Sequence, residues 1–166
     1  MSKGLKKIAA GLAIITLFGA SIAAQDLTRP NGQNVSLNDM RGSVAVLLFS
    51  GVQDPQCRDA LKALETLADR FRGKPVQVFW VSVNAVSEAT DEQLKSPCGV
   101  TTQVQVLRDA NQAAFKKFSG KRAQLPTVVV LDTRGAPFGQ PRGGFNPNSD
   151  FVNDLASIID SLIPRK

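Results

Sequence analysis

The residues with chemistry to offer stand together in "GVQDPQCRDALKALETLADRF", residues 51–71. Asp54 and Cys57 lie three positions apart at a helix start. Two cysteines at that spacing would pass between dithiol and disulfide. Here aspartate holds the first place and only the second keeps its sulfur. The thiolate is the reactive form of cysteine, and a helix N-terminus favours it through free N–H groups and the positive end of the dipole. With Asp54 as N-cap and Pro55 first in the helix, Cys57 is the third helical residue. The Asp54 carboxylate is then placed to accept the N–H of Cys57. Arg58 adds a cation next door. The carboxylate acts in the opposite sense, because a second negative charge nearby disfavours the thiolate. Plainer readings stand beside this one. Asp-Pro is a common helix start, so Asp54 can be a cap and nothing more. Cys57 also lies on one apolar stripe with Leu61, Leu64, Ala68 and Phe71, where a free cysteine serves as an inert core thiol.

The remaining inventory removes several classes of function. Histidine is absent, which excludes Ser-His and Cys-His catalysis and the common zinc sites. Two cysteines, Cys57 and Cys98, cannot build a four-thiolate metal centre. No G-x-x-x-x-G-K-[ST] run is present to cradle phosphates. The basic residues are scattered, with only Lys116-Lys117 and Lys121-Arg122 close together, so a solvated face explains them better than nucleic acid.

The 166 residues are not expected to fold as one unit. Lys3, Lys6 and Lys7 precede an apolar run from Ile8 to Phe18, and Ser21 and Ala23 follow as small residues. This is the pattern of a secretory signal peptide, residues 1–23. The run falls short of the ~20 residues that span a bilayer, so no stable membrane insertion is expected once it is cut. Removing those three lysines lowers the formal charge from +6 to +3. The expected product is one domain, residues 24–166, periplasmic or secreted, where disulfides persist.

Positioning the cysteine is the task of the elements around it. Asn31-Gly32 signals a hairpin. "SVAVLLFS" (43–50) is a nearly unbroken apolar run, as for a strand buried on both faces. A helix follows Pro55, then a second strand in "PVQVFWVSVN" (75–84), with Trp80 expected in the core. Thr90 and Gln93 have capping-box spacing before a short helix. "TQVQVL" is a weaker third strand, with Arg108-Asp109 read as a strand end and a helix cap. Asp109 and Gln112 have capping-box spacing before another helix. "LPTVVVLDTRGAPFGQ" reads as a strand, a turn at Arg134-Gly135 and an antiparallel partner. A last helix shows Phe151, Leu155, Ile158 and Leu162 on one face and ends before Pro164. This order gives an α/β fold with a central mixed sheet covered by helices on both faces.

From Asp26 to Leu162 the chain resembles a thioredoxin-like redoxin. "VSLNDMRGSVAVLLFS" is similar to the strand and loop that enter the active site of TlpA-like thiol–disulfide reductases. "LPTVVVLDTRG" is similar to the segment in which such proteins carry a cis-proline opposite the active-site cysteines, here Pro126. The resemblance implies the thioredoxin-like three-layer α/β/α sandwich. The chain departs from TlpA-like proteins at Asp54, where they have the attacking cysteine. Peroxiredoxins are a second template, with Thr-x-x-Cys at this point, so that Asp54 would stand in the place of their threonine. "SPCGVTTQVQVL" is similar to the segment that carries the resolving cysteine of the thiol peroxidase branch, which makes Cys98 a candidate partner for Cys57. A Cys57–Cys98 disulfide of purely structural purpose is the plainer alternative. Peroxiredoxins also place an arginine near the thiolate where this chain has Leu125-Pro126, and Arg58 or Arg122 would have to replace it.

The reading is an exported thiol oxidoreductase with Cys57 as the reactive centre and the faster thiol, and Cys98 as resolving partner. Asp54 caps the helix and handles a proton, Arg58 supplies a cation, and Pro126 shapes the groove for a partner segment. Such a site needs no metal or organic cofactor. Its partners would be exported protein thiols and disulfides or hydroperoxides, with an electron donor outside the cytoplasm. The competing reading is a non-catalytic binding module that keeps the fold after losing the first cysteine.

Overall fold

The computed structural model describes residues 27–120, 124–145 and 150–164. Expectations for the signal peptide, Lys121 and Arg122 lie outside the described residues. The chain enters through a short hairpin, β1 (Leu27–Thr28) and β2 (Asn34–Val35). Its turn uses Asn31, whose side chain accepts the Gln33 N–H, and Gly32 at φ 80°, a left-handed value that glycine adopts without a Cβ penalty.

A 3₁₀ turn at Leu37–Met40, closed by a reciprocal Ser36–Asp39 cap, leads into β3 (Val44–Ser50). Every residue of β3 is buried, because the strand is covered on both faces. Helix α1 (Cys57–Arg70), strand β4 (Val76–Ser82) and the short helix α2 (Asp91–Lys95) follow. The Thr90–Gln93 capping box that precedes α2 forms in both directions. Then come β5 (Gln105–Arg108), α3 (Ala113–Ser119), β6 (Thr127–Leu131), β7 (Arg142–Gly143) and α4 (Phe151–Leu162).

The strands form one mixed sheet in the order β2-β1-β5-β4-β3-β6-β7. The β3–β4 and β4–β5 pairs are parallel, and β6 is antiparallel to β3. Side chains alternate along β3 and split the core in two. Val44, Val46 and Leu48 face α1 and α4, together with Trp80, Val128 and Val130. Ala45, Leu47 and Phe49 face the other way, onto Met40, Phe79, Leu107 and Phe118 of the opposite layer. Three layers result, and the C-terminal ends of β3, β4 and β5 share one rim.

One local expectation needs correction. Gln112 does not close a capping box with Asp109. It sits at φ 56°, in the left-handed region, and donates to the Val83 carbonyl, while the Asp109 carboxylate accepts the N–H groups of Ala114 and Phe115. Asp109 shares the cap with Asn111, whose side chain accepts the Ala113 N–H at 3.0 Å. The antiparallel partner of β6 follows the turn at Arg134-Gly135 as expected: the Asp132 N–H donates to the Ala136 carbonyl and the Phe138 N–H to the Val130 carbonyl, each at 2.8 Å, with Pro137 opposite Leu131 between them. Further along, Arg142–Gly143 pairs with Val128 and Thr127 as β7.

Candidate active site

The loop from β3 to α1 is built around Asp54. Its backbone carbonyl accepts the Cys57 N–H at 3.0 Å, and its Oδ1 accepts the Gln56 N–H at 2.8 Å. The carboxylate therefore serves Gln56, not Cys57 as the sequence spacing suggests. An aspartate side chain readily closes a turn onto the N–H two residues on. Pro55 and Gln56 belong to that turn, so α1 begins at Cys57 itself. The other carboxylate oxygen lies 3.4 Å from the hydroxyl of Ser50, the buried last residue of β3.

Cys57 is 1% exposed and packs in the core layer beneath α1 with Leu61 and Leu64. The second cysteine comes from the crossover between β4 and β5. Helix α2 ends at Lys95, and one residue later Pro97–Gly99 makes a tight 3₁₀ turn. Cys98 is half-buried there, at φ 58°, a conformation uncommon for a residue with a side chain, and Gly99 follows at φ 72°. The two cysteines form a disulfide with Cα atoms 5.9 Å apart and a separation of 41 positions in sequence. A cleft of about 620 Å³ opens over this bond, lined by Asp54, Pro55, Cys57, Arg58, Gln93 and Cys98. Arg58 is exposed and reaches across to the Cys98 carbonyl at 3.4 Å. Its guanidinium thus holds the backbone of the Cys98 turn.

A second groove, of about 530 Å³, lies on the other side of Asp54, between Gln53–Gln56, Asn84 and Leu125. Asn84 lies two residues beyond β4, and its side-chain oxygen accepts the Val52 N–H at 2.9 Å, fixing the start of the Asp54 loop. The Leu125–Pro126 peptide bond is cis. Pro126 is buried, and its carbonyl accepts the Gly144 N–H at 3.0 Å, while Leu125, 40% exposed, forms the wall of the groove.

Four of the residues singled out from sequence, Asp54, Cys57, Arg58 and Cys98, line one cleft. Pro126 lines neither cleft and acts behind Leu125. Sequence reasoning passed over Asn84, Leu125 and Arg108. A polar residue directly after an apolar strand was the available signal for Asn84. Arg108 closes β5 as its place in the sequence suggests, and it is also 3% exposed and donates to the Ala89 carbonyl and the Asp91 carboxylate, each at 2.7 Å. Among the described residues no group of His, Cys, Asp or Glu could hold a metal ion, and no helix is long and apolar enough to cross a membrane. Chemically, the site offers one sulfur–sulfur bond at the floor of a polar cleft, with a carboxylate and a guanidinium at its rim.

Comparison with known proteins agrees with this architecture. The model of the AhpC/TSA family matches residues 19–136. No curated protein matches the chain. Among solved structures, a candidate thiol:disulfide interchange protein DsbE from Chlorobium tepidum superposes with a TM-score of 0.70 at 22% identity, over 84% of this chain and 92% of that one. The exposed lipoprotein thioredoxin of Streptococcus pneumoniae gives 0.66 at 17% identity, over 82% of this chain and 98% of that one. A thioredoxin-like protein from Aeropyrum pernix gives 0.63 at 18% identity, over 82% and 88%. At these identities the likeness is one of fold, and the fold is thioredoxin-like.

Proposed function

The chain belongs to the AhpC/TSA family of thiol-dependent oxidoreductases, and from that premise we propose that the Cys57–Cys98 pair is its working centre, exchanging disulfides with exported proteins. The observation that carries this reading is the pair's position, bonded at the floor of an open cleft with Cys98 the less buried sulfur. A partner thiolate attacks the Cys98 sulfur, the Cys57–Cys98 bond breaks, and Cys57 leaves as thiolate. The partner's second thiol then attacks its own sulfur in the mixed disulfide and releases Cys98. The partner loses two electrons and two protons, and the pair gains both. Run in reverse, the same steps reduce a partner's disulfide, and a donor outside the cytoplasm restores the dithiol. The groove beside Asp54 and Leu125 receives the partner's extended segment, with Pro126 supporting Leu125 from behind.

Hydroperoxide reduction is the second reading, favoured by the 41-residue separation of the pair, which suits an attacking and a resolving cysteine on different elements. Here the Cys57 thiolate takes the terminal peroxide oxygen and becomes a sulfenic acid, releasing alcohol. Cys98 condenses with it, loses water and forms the disulfide. Arg58, at the cleft rim, is the cation for that chemistry. In either case the protein acts after export, with cleavage near Ala23.

The test is a set of redox buffers. The mature protein is equilibrated with glutathione or dithiothreitol, its thiols are trapped by alkylation and counted by mass. Reversible opening in the folded state, with oxidation of a peptide dithiol that is lost in Cys57→Ser and Cys98→Ser, supports exchange. Peroxide consumption driven by dithiothreitol supports the second reading. A disulfide that opens only on unfolding leaves a structural bond and the non-catalytic binding module.

A further inference from the structure

Arg108 is the buried charge that the exchange chemistry leaves unused. It closes β5, and its side chain lies 3% exposed on the same face of the sheet as the disulfide. Its guanidinium makes two charge-assisted bonds of 2.7 Å, one to the Ala89 carbonyl and one to the Asp91 carboxylate. These partners bracket the Thr90 cap of α2, so one side chain holds the last residue before the cap and the first residue of the helix. Helix α2 has five residues and a single buried side chain, Leu94. A helix this short is not stable on its own, and Cys98 follows three residues after its end. Wherever α2 sits, the Cys98 sulfur sits with it.

We propose that Arg108 is a positioning residue for Cys98: by pinning the start of α2 it holds the Cys98 thiol near Cys57 in the reduced protein, and so sets how strongly the pair favours the disulfide. This rests on the reading of Cys57–Cys98 as an exchangeable pair. In the oxidised protein the covalent bond holds the Cys98 turn whether or not the clamp is present. In the dithiol the clamp, Leu94 and the Arg58 contact to the Cys98 carbonyl hold it. Removing the clamp releases the turn in the reduced form only. The entropy gained there must be surrendered again when the bond closes, so the balance moves towards the dithiol. The exchange itself stays balanced. Dithiothreitol gives up two electrons and two protons to become its cyclic disulfide, and the pair takes them up as two thiols.

The experiment compares the full mature protein with Asp91→Asn and Arg108→Met in graded dithiothreitol redox buffers, reading the oxidised fraction by alkylation and mass. Asp91 is half-exposed and at the surface, so its variant folds even where Arg108→Met does not. Asp91→Asn should lower the equilibrium constant for disulfide formation about threefold and Arg108→Met about tenfold; tenfold is about 30 mV towards a more oxidising potential for this two-electron couple. A clamp that only supports the fold would lower the melting temperature of both redox states alike and leave the potential unmoved, and that result overturns the proposal. A wild-type bond that never opens in the folded protein sinks the exchange reading and the clamp together. A wild-type bond that opens reversibly, with an unchanged potential in Asp91→Asn, sinks the clamp alone.

Discussion

Burial separates the two sulfurs. Cys57 is 1% exposed while Cys98 is half-buried in its turn, the reverse of the order suggested by a cysteine in the first turn of a helix. Access is one of the terms that set thiol exchange rates, so in the reduced protein Cys98 should be alkylated on the order of tenfold faster than Cys57. Mass mapping after brief alkylation checks this, and a faster Cys57 would return the attacking role to it. Asp54 is the other residue whose role changes on inspection. Its Oδ1 serves the Gln56 N–H, so Asp54→Ala should cost about 1 kcal/mol for a lost hydrogen bond to the turn. Asp54→Asn keeps an acceptor and should cost little. Asp54→Cys rebuilds Cys-Pro-Gln-Cys at the junction of the two clefts and should confer insulin-disulfide reduction absent from the parent. A folded variant without that activity would show that the groove beside Leu125 does not admit a disulfide substrate.

Elements were the most legible level of this sequence. The apolar run of β3, the stripe of α1 and the Thr90–Gln93 box each had a local cause, and each is present. Leu64 belongs to that stripe and is fully buried. Leu64→Ala should therefore cost about 2–5 kcal/mol through lost contacts and a residual cavity, read from denaturant midpoints. What was not legible depended on partners distant in sequence. The Arg108 clamp joins residues 17 and 19 positions apart, and the wall at Leu125 meets Asp54 only because β6 returns beside β3. No spacing rule within one element reports such meetings. The turn after β6 offers a pH-dependent check. The Asp132 carboxyl is held below its ordinary value of 3.8, first by the Ala136 N–H and then by Arg134. Its folded pKa is depressed, so its contribution is present above that ordinary value and is lost as the pH falls through the folded pKa. Asp132→Asn should remove this component of the acid dependence of unfolding and leave the neutral-pH activity intact.

Across the whole molecule, one covalent bond ties together parts that the sheet alone holds side by side. The ring it closes runs from the first residue of α1, through all of β4, to the turn after α2. In the chain-entropy model a ring closed by cysteines 41 positions apart is worth about 4 kcal/mol, so reduction should lower the urea midpoint of the folded protein by that equivalent. On the export reading, processing sets the other boundary of the molecule. Material secreted from a bacterial host should begin at Ala24 or within one or two residues of it, by intact mass, and a product that retains Met1 would remove the extracytoplasmic setting.

The same ring has a mechanical meaning. If the molecule is stretched between its ends, force does not reach the chain between Cys57 and Cys98 while the bond is intact, although β4 lies inside the sheet between β3 and β5. At about 3.3–3.6 Å per extended residue, the 41-residue separation hides roughly 140 Å of contour. In a single-molecule pull the oxidised protein would thus lengthen by that much less than the reduced one, and adding reductant during the pull would release the hidden length in one step.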